Sequence, residues 1–154
     1  MARYVLLEKD ISVEEVPSLA IEIVASLRAH VTPRACVLTL QGPLGAGKTT
    51  LTQALASKLG ISDPVTSPTF VIQKRYTTNA PDFHSLVHID AYRTAESNEL
   101  RVLGFEMLVK EPGVLVVIEW PERIEDLLPL EYFEISLQHV SETKRAVRFS
   151  LINT

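Results

Sequence analysis

Two kinds of apolar pattern alternate along this chain. Near-continuous apolar runs, which suit strands, are separated by segments whose apolar positions recur every three or four residues, which suit helices. Tyr4–Leu7 reads as a short strand. Asp10 or Ser12 can cap a helix from about Val13 to His30, with Val13, Val16, Ala20, Ile23, Val24 and Leu27 on one face and Pro17 as an early kink. Cys36–Leu40 is an apolar strand, and Leu51–Leu59 has helical spacing and stops at Gly60. Ser62–Phe70 is dense in turn formers and reads as an ordered loop, followed by a strand at Val71–Tyr76 and a polar loop at Thr77–Phe83. Leu86–Asp90 and Val114–Glu119 are strands that each end in an acid, and the second is apolar enough to be buried on both faces. Between them Ala95–Val109 is helical with an interruption at Gly104. Pro121–Leu128 reads as a short helix, and Tyr132–His139 with Arg145–Ile152 as a hairpin closing the sheet.

This order predicts an α/β fold: a mixed sheet of the P-loop NTPase type with flanking helices, the Cys36–Leu40 strand central, and an antiparallel β-hairpin at the C-terminus. A length of 154 residues suits a single domain, residues 1–154.

Between the Cys36–Leu40 strand and the Leu51–Leu59 helix lies Gly42-Pro43-Leu44-Gly45-Ala46-Gly47-Lys48-Thr49, followed by Thr50. It fits G-x-x-x-x-G-K-[ST] in the strand–loop–helix context that this phosphate-binding motif requires. Glycines let backbone N–H groups turn inward as an anion nest, and the helix N-terminus adds its positive dipole end. Lys48 is placed to reach the β- and γ-phosphates and the Thr49 hydroxyl to ligate Mg²⁺, so ATP and Mg²⁺ are the expected ligands.

Ligands of open α/β sheets sit beyond the carboxyl ends of the strands, where Lys48, Asp90 and Glu119 converge. A metal–triphosphate needs an acid near the metal, and periodicity alone leaves open which of Asp90 and Glu119 supplies it. Ser67-Pro-Thr-Phe70 is either a plain turn or a switch loop whose Thr69 hydroxyl meets the metal or the γ-phosphate. Arg93 suits a structural ion pair better than a catalytic role, Trp120 a packing role, and His88 a satisfied position within its strand.

Composition narrows the field further. A net charge of −4 argues against a protein that grips nucleic acid by itself. The single cysteine, Cys36, excludes an internal disulfide and a cysteine-cluster metal site. The N-terminal apolar run is too short for a signal peptide, and no stretch approaches a membrane span, so a cytoplasmic location is expected.

The residues resemble a known family, the bacterial tRNA threonylcarbamoyladenosine biosynthesis ATPases TsaE (YjeE). The likeness rests on Gly42–Thr50, Ser67–Phe70, His88-Ile-Asp-Ala-Tyr-Arg93, Glu99–Glu106 and Val117-Ile-Glu-Trp-Pro-Glu-Arg123, in family order over nearly the whole chain. It implies an ATPase that works with TsaB and TsaD to place a threonylcarbamoyl group on the adenosine next to the tRNA anticodon, meeting tRNA only through that complex. It also implies phosphate and Mg²⁺ binding by Lys48 and Thr49, Asp90 as the metal-side acid, Glu119 as a further essential acid, and Thr69 as the switch threonine. Two departures stand out. The family usually has Asp where Pro43 stands and Thr near Val16, and Pro43 removes a carboxylate and one N–H from the loop.

Rival classes are a small-molecule kinase, a GTPase switch and a nucleotide-sensing module without useful hydrolysis. The arginines after Lys48 form no lid-like cluster, and the guanine-reading [NT]-K-x-D is absent because Arg-Ala follows Thr143-Lys144.

Overall fold

The computed structural model describes residues 1–30, 32–66, 73–92, 101 and 104–154. Among these, seven strands form one mixed sheet in the order β1-β7-β6-β2-β5-β4-β3. The strands are β1 (Ala2–Ser12), β2 (Cys36–Gln41), β3 (Gln73–Thr77), β4 (Ser85–Asp90), β5 (Val114–Glu119), β6 (Glu131–His139) and β7 (Lys144–Asn153). β2 is central, parallel to β5 and β6, and β4 extends the parallel set beyond β5. β3 and β7 add antiparallel neighbours, and β1 runs antiparallel to β7. This is the expected P-loop NTPase fold.

Helices cover both faces. On one, α1 (Val16–Ala29) and α2 (Lys48–Lys58) pack together against Leu38, Leu40, Leu115, Val117 and Ile135. α1 contributes Leu19, Ala20, Ile23, Val24 and Leu27, with the larger of these side chains stabilising the fold by about 1.5–3 kcal/mol each when fully buried. On the other face the four-residue α3 (Phe105–Leu108) and the turns after β5 cover Val37, Val87, Ile89, Val116 and Ile118. Every residue of β5 is buried, which explains why its apolar run is unbroken rather than alternating.

Several elements differ from the sequence expectation. β1 has eleven residues instead of the four at Tyr4–Leu7, because β7 pairs with it through the polar stretch as far as Ser12. Val13–Glu15 is a separate 3₁₀ turn, with Ser12 donating its backbone N–H and its hydroxyl to the Glu15 carboxylate, both at 3.0 Å. These bonds hold the Glu15 carboxyl below the usual carboxylate range. Val13 consequently lies outside the core, 61% exposed. Pro17 sits in the first turn of α1, where its missing N–H has no intrahelical partner to lose, so it begins the helix rather than kinking it.

The C-terminal hairpin does not close the sheet. β6 inserts beside β2, and the outer edge belongs to β1. Pro121–Leu128 forms two 3₁₀ turns, Pro121–Arg123 and Glu125–Leu127, separated by Ile124 at φ −136°. Of the expected Ala95–Val109 helix, residues 95–100 and 102–103 lie outside the described residues, as do residues 71–72 of the third strand. Gly104 stands at the expected interruption, at φ 85°.

Candidate functional site

The Gly42–Thr49 segment joins β2 to α2. β2 ends at Gln41, the loop crosses to Gly47 in the left-handed region at φ 103°, and α2 begins at Lys48. The Ala46 N–H donates to the Pro43 carbonyl at 3.1 Å, closing a tight turn. Gly42 permits a close approach, since a Cβ there would meet the Leu137 carbonyl oxygen at 2.5 Å. Gly45 and Gly47 face the opposite situation. A Cβ on either would meet nothing within 4 Å, so both positions border open space beside the N-terminus of α2. Leu44 and Thr50 point outward, and Ala46 is buried.

Lys48 is folded back onto this loop. Its ammonium donates to the Gly42 carbonyl at 2.5 Å and the Pro43 carbonyl at 3.1 Å, and lies 3.9 Å from the Trp120 ring centroid. Burial pushes its pKa below the ordinary lysine range, while Glu119, Glu122 and Asp90 act in the opposite direction. Trp120 adopts φ 60°, the positive-φ conformation that a residue with a large side chain rarely takes. That conformation follows the end of β5, and Trp120 also contacts the Tyr92 ring at 4.9 Å between centroids.

Asp90 and Glu119 are direct partners in the parallel β4–β5 register, so the two acid-terminated strands end side by side. Glu119 is the acid that meets Thr49, whose hydroxyl lies 3.3 and 3.4 Å from its two carboxylate oxygens. Asp90 accepts the Tyr92 N–H at 2.9 Å. Lys48, Thr49, Asp90 and Glu119 therefore converge at one end of the sheet. Thr69, the Ser67–Phe70 loop and Arg93 lie outside the described residues.

Residues 12–147 match the family described as Threonylcarbamoyl adenosine biosynthesis protein TsaE. The chain belongs to the TsaE family. A Bacillus subtilis relative named tRNA threonylcarbamoyladenosine biosynthesis protein TsaE is 38% identical over 129 residues, covering 84% of this chain and 78% of the relative. A Treponema pallidum protein of the same name is 38% identical over 111 residues, covering 72% and 78%. One from Mycobacterium bovis is 32% identical, covering 70% of this chain and 66% of its own length. The crystal structure of Bacillus subtilis YdiB superposes with a TM-score of 0.72 at 31% identity, over 99% of this chain and 87% of that one.

Two residues near the TsaE-family loop were not singled out as site residues by sequence pattern. His88, read as a satisfied strand position, is fully buried and donates from Nε2 to Glu119 at 2.5 Å. Its two-residue spacing from Asp90 places both on one face of β4, a signal available in the sequence but not decisive there. Arg145, at the start of β7, donates to the Ser141 and Lys144 carbonyls at 2.9 and 3.0 Å and reaches the Gly45 carbonyl at 3.5 Å. No sequence spacing announces that approach, because it depends on β6 inserting beside β2.

Proposed function

We propose that this chain is a P-loop ATPase that binds Mg-ATP, hydrolyses it slowly alone, and supports TsaB and TsaD in threonylcarbamoylation of the adenosine next to the tRNA anticodon. The observation that carries this reading is the Thr49–Glu119 contact beside an open glycine loop at a helix N-terminus. A hydroxyl with one or two carboxylates is an all-oxygen donor set, which suits Mg²⁺. Among the described residues no group of three or more His, Cys, Asp and Glu is arranged to hold an ion.

In this reading the N–H groups of Leu44, Gly45, Gly47, Lys48 and Thr49 cradle the phosphates, since Pro43 has none and that of Ala46 donates to the Pro43 carbonyl. Lys48 leaves the Gly42 and Pro43 carbonyls to pair with the β- and γ-phosphates. Thr49 and Glu119 hold the metal side, and Asp90, one strand over, supplies a second acid that can ligate or orient water. Bound Mg²⁺ would neutralise phosphate charge and fix the triphosphate for in-line attack. Thr69 keeps its switch role on the family resemblance alone. Arg145 donates to carbonyls of its own turn, and in this reading a partner adds a group that stabilises transition-state charge. With a net charge of −4, contact with tRNA runs through the partners.

The test is phosphate release by the isolated chain and by the chain with TsaB, TsaD and tRNA, with modified adenosine counted in parallel. The isolated protein should turn over below about one per second, and the partners should raise the rate, since a group supplied in trans can contribute about 10³–10⁵-fold. Fast hydrolysis indifferent to the partners would return a free-standing ATPase or kinase to consideration.

A further inference from the structure

We infer that His88 is a positioning residue that sets the orientation of the Glu119 carboxylate toward Thr49 and the metal side of the site; this rests on the metal-side role of Glu119 proposed above. Both side chains are withdrawn from water, with 0% and 4% of their surfaces exposed. Glu119, as an acceptor, requires that the proton of their 2.5 Å bond be carried on Nε2 of His88. The other ring nitrogen, Nδ1, is buried without a hydrogen-bond partner among the described residues. Among the bonds described for the ring, the one to Glu119 is thus what fixes it.

The backbone explains the geometry. His88 is paired with Val117, and two residues on, Asp90 is paired with Glu119. A period of two puts His88, Asp90, Val117 and Glu119 on the same face of the sheet, the face that α2 and Thr49 cover. His88 therefore approaches Glu119 from beneath, one step back from the strand end, while Thr49 approaches from the loop side. With Nε2 on Oε2, rotation of the carboxylate about its last bond is restrained, and both of its oxygens are held within reach of the Thr49 hydroxyl, Oε1 at 3.3 Å and Oε2 at 3.4 Å. Support of this kind for a metal-side acid typically changes metal affinity by about 10–100-fold when it is removed.

The substitutions follow from side-chain reach. A Gln amide can place an N–H near the Nε2 position, whereas the shorter Asn amide falls at the Nδ1 position, and Leu has no donor. The measurement is the ATP dissociation constant of the full chain with Mg²⁺ and with EDTA, whose ratio gives the Mg²⁺ enhancement. It is made on wild type, His88→Gln, His88→Asn, His88→Leu, Glu119→Gln and His88→Asn/Glu119→Gln, with unfolding midpoints recorded without ligand. His88→Asn should lose about tenfold or more of the enhancement, with affinity in EDTA unchanged. His88→Gln should retain most of it, and the double variant should be no worse than Glu119→Gln alone. His88→Leu replaces the Asn variant if Asn does not fold.

Wild-type enhancement in folded Asn and Leu variants, with Glu119→Gln impaired, overturns the role of His88. So does a further loss in the double variant beyond Glu119→Gln, because it would mean that His88 acts by another route. Unchanged enhancement in Glu119→Gln itself instead removes the metal-side reading of Glu119.

Discussion

The Lys48 ammonium stands 3.9 Å from the centroid of the Trp120 ring while donating to two carbonyls of its own loop. Trp120 is the sole tryptophan of the chain. A phosphate that draws Lys48 away would change the field on that indole directly. Adding Mg-ATP should therefore shift the intrinsic fluorescence saturably, and Lys48→Ala should abolish the response. A wild-type signal that does not move under saturating nucleotide would contradict this coupling.

In the proposed reading Glu119 and Asp90 divide the metal side unequally. Glu119 touches the Thr49 hydroxyl, while Asp90 receives a backbone N–H from Tyr92. Glu119→Gln and Thr49→Val should each reduce the Mg²⁺ enhancement of ATP binding, Glu119→Gln by at least as much as His88→Asn. Asp90→Asn should act more on turnover than on binding. Isothermal titration with and without Mg²⁺ checks the division, and a larger binding loss in Asp90→Asn would assign Asp90 as the main metal-side acid. The family resemblance by itself favours that second outcome.

Much of this arrangement was legible in the chain because it is local. The apolar run into Gly42, the glycine spacing and the helical periodicity after Lys48 are neighbours in sequence, so pattern alone reaches the loop. The acid-terminated strands were legible too, since β4 and β5 show their burial in composition. What pattern could not reach depends on register between distant segments. The His88–Glu119 bond joins residues 31 apart, and the outer position of β1 follows from pairing with a strand at the far end of the chain. Turn type was also hidden: Pro121–Leu128 has helical composition, but Ile124 breaks it into two 3₁₀ turns.

Gly42 offers a test of the loop's packing independent of nucleotide. A Cβ at this position would meet the backbone oxygen of Leu137 at 2.5 Å, and a backbone atom within a sheet cannot move aside cheaply. Gly42→Ala should lower stability by about 1–3 kcal/mol, read as a reduced denaturation midpoint. Gly45→Ala meets no neighbouring atom within 4 Å, although its φ of 78° adds backbone strain. The carbonyl clash should therefore make Gly42→Ala the more destabilising of the two.

Cys36 reports on the opposite end of the same strand. Burial, with a smaller contribution from Glu131, pushes its thiol up to about 12. An unfolded cysteine titrates near about 8.5, so the folded chain binds more protons between those values. This contribution to stability is fully present below about pH 8.5 and declines as pH rises toward about 12. At pH 8 a thiol reagent should label Cys36 slowly in the native protein and rapidly in denaturant. Equal rates in both states would contradict the protected thiol.

The most direct test of the nucleotide site is calorimetric titration of the purified chain with ATP, with Mg²⁺ and in EDTA, beside Lys48→Ala. The wild type should bind one ATP per chain, more tightly with Mg²⁺, and Lys48→Ala should lose most of that affinity without loss of the fold. Absence of ATP binding by the wild type, or equal affinity in Lys48→Ala, would contradict it.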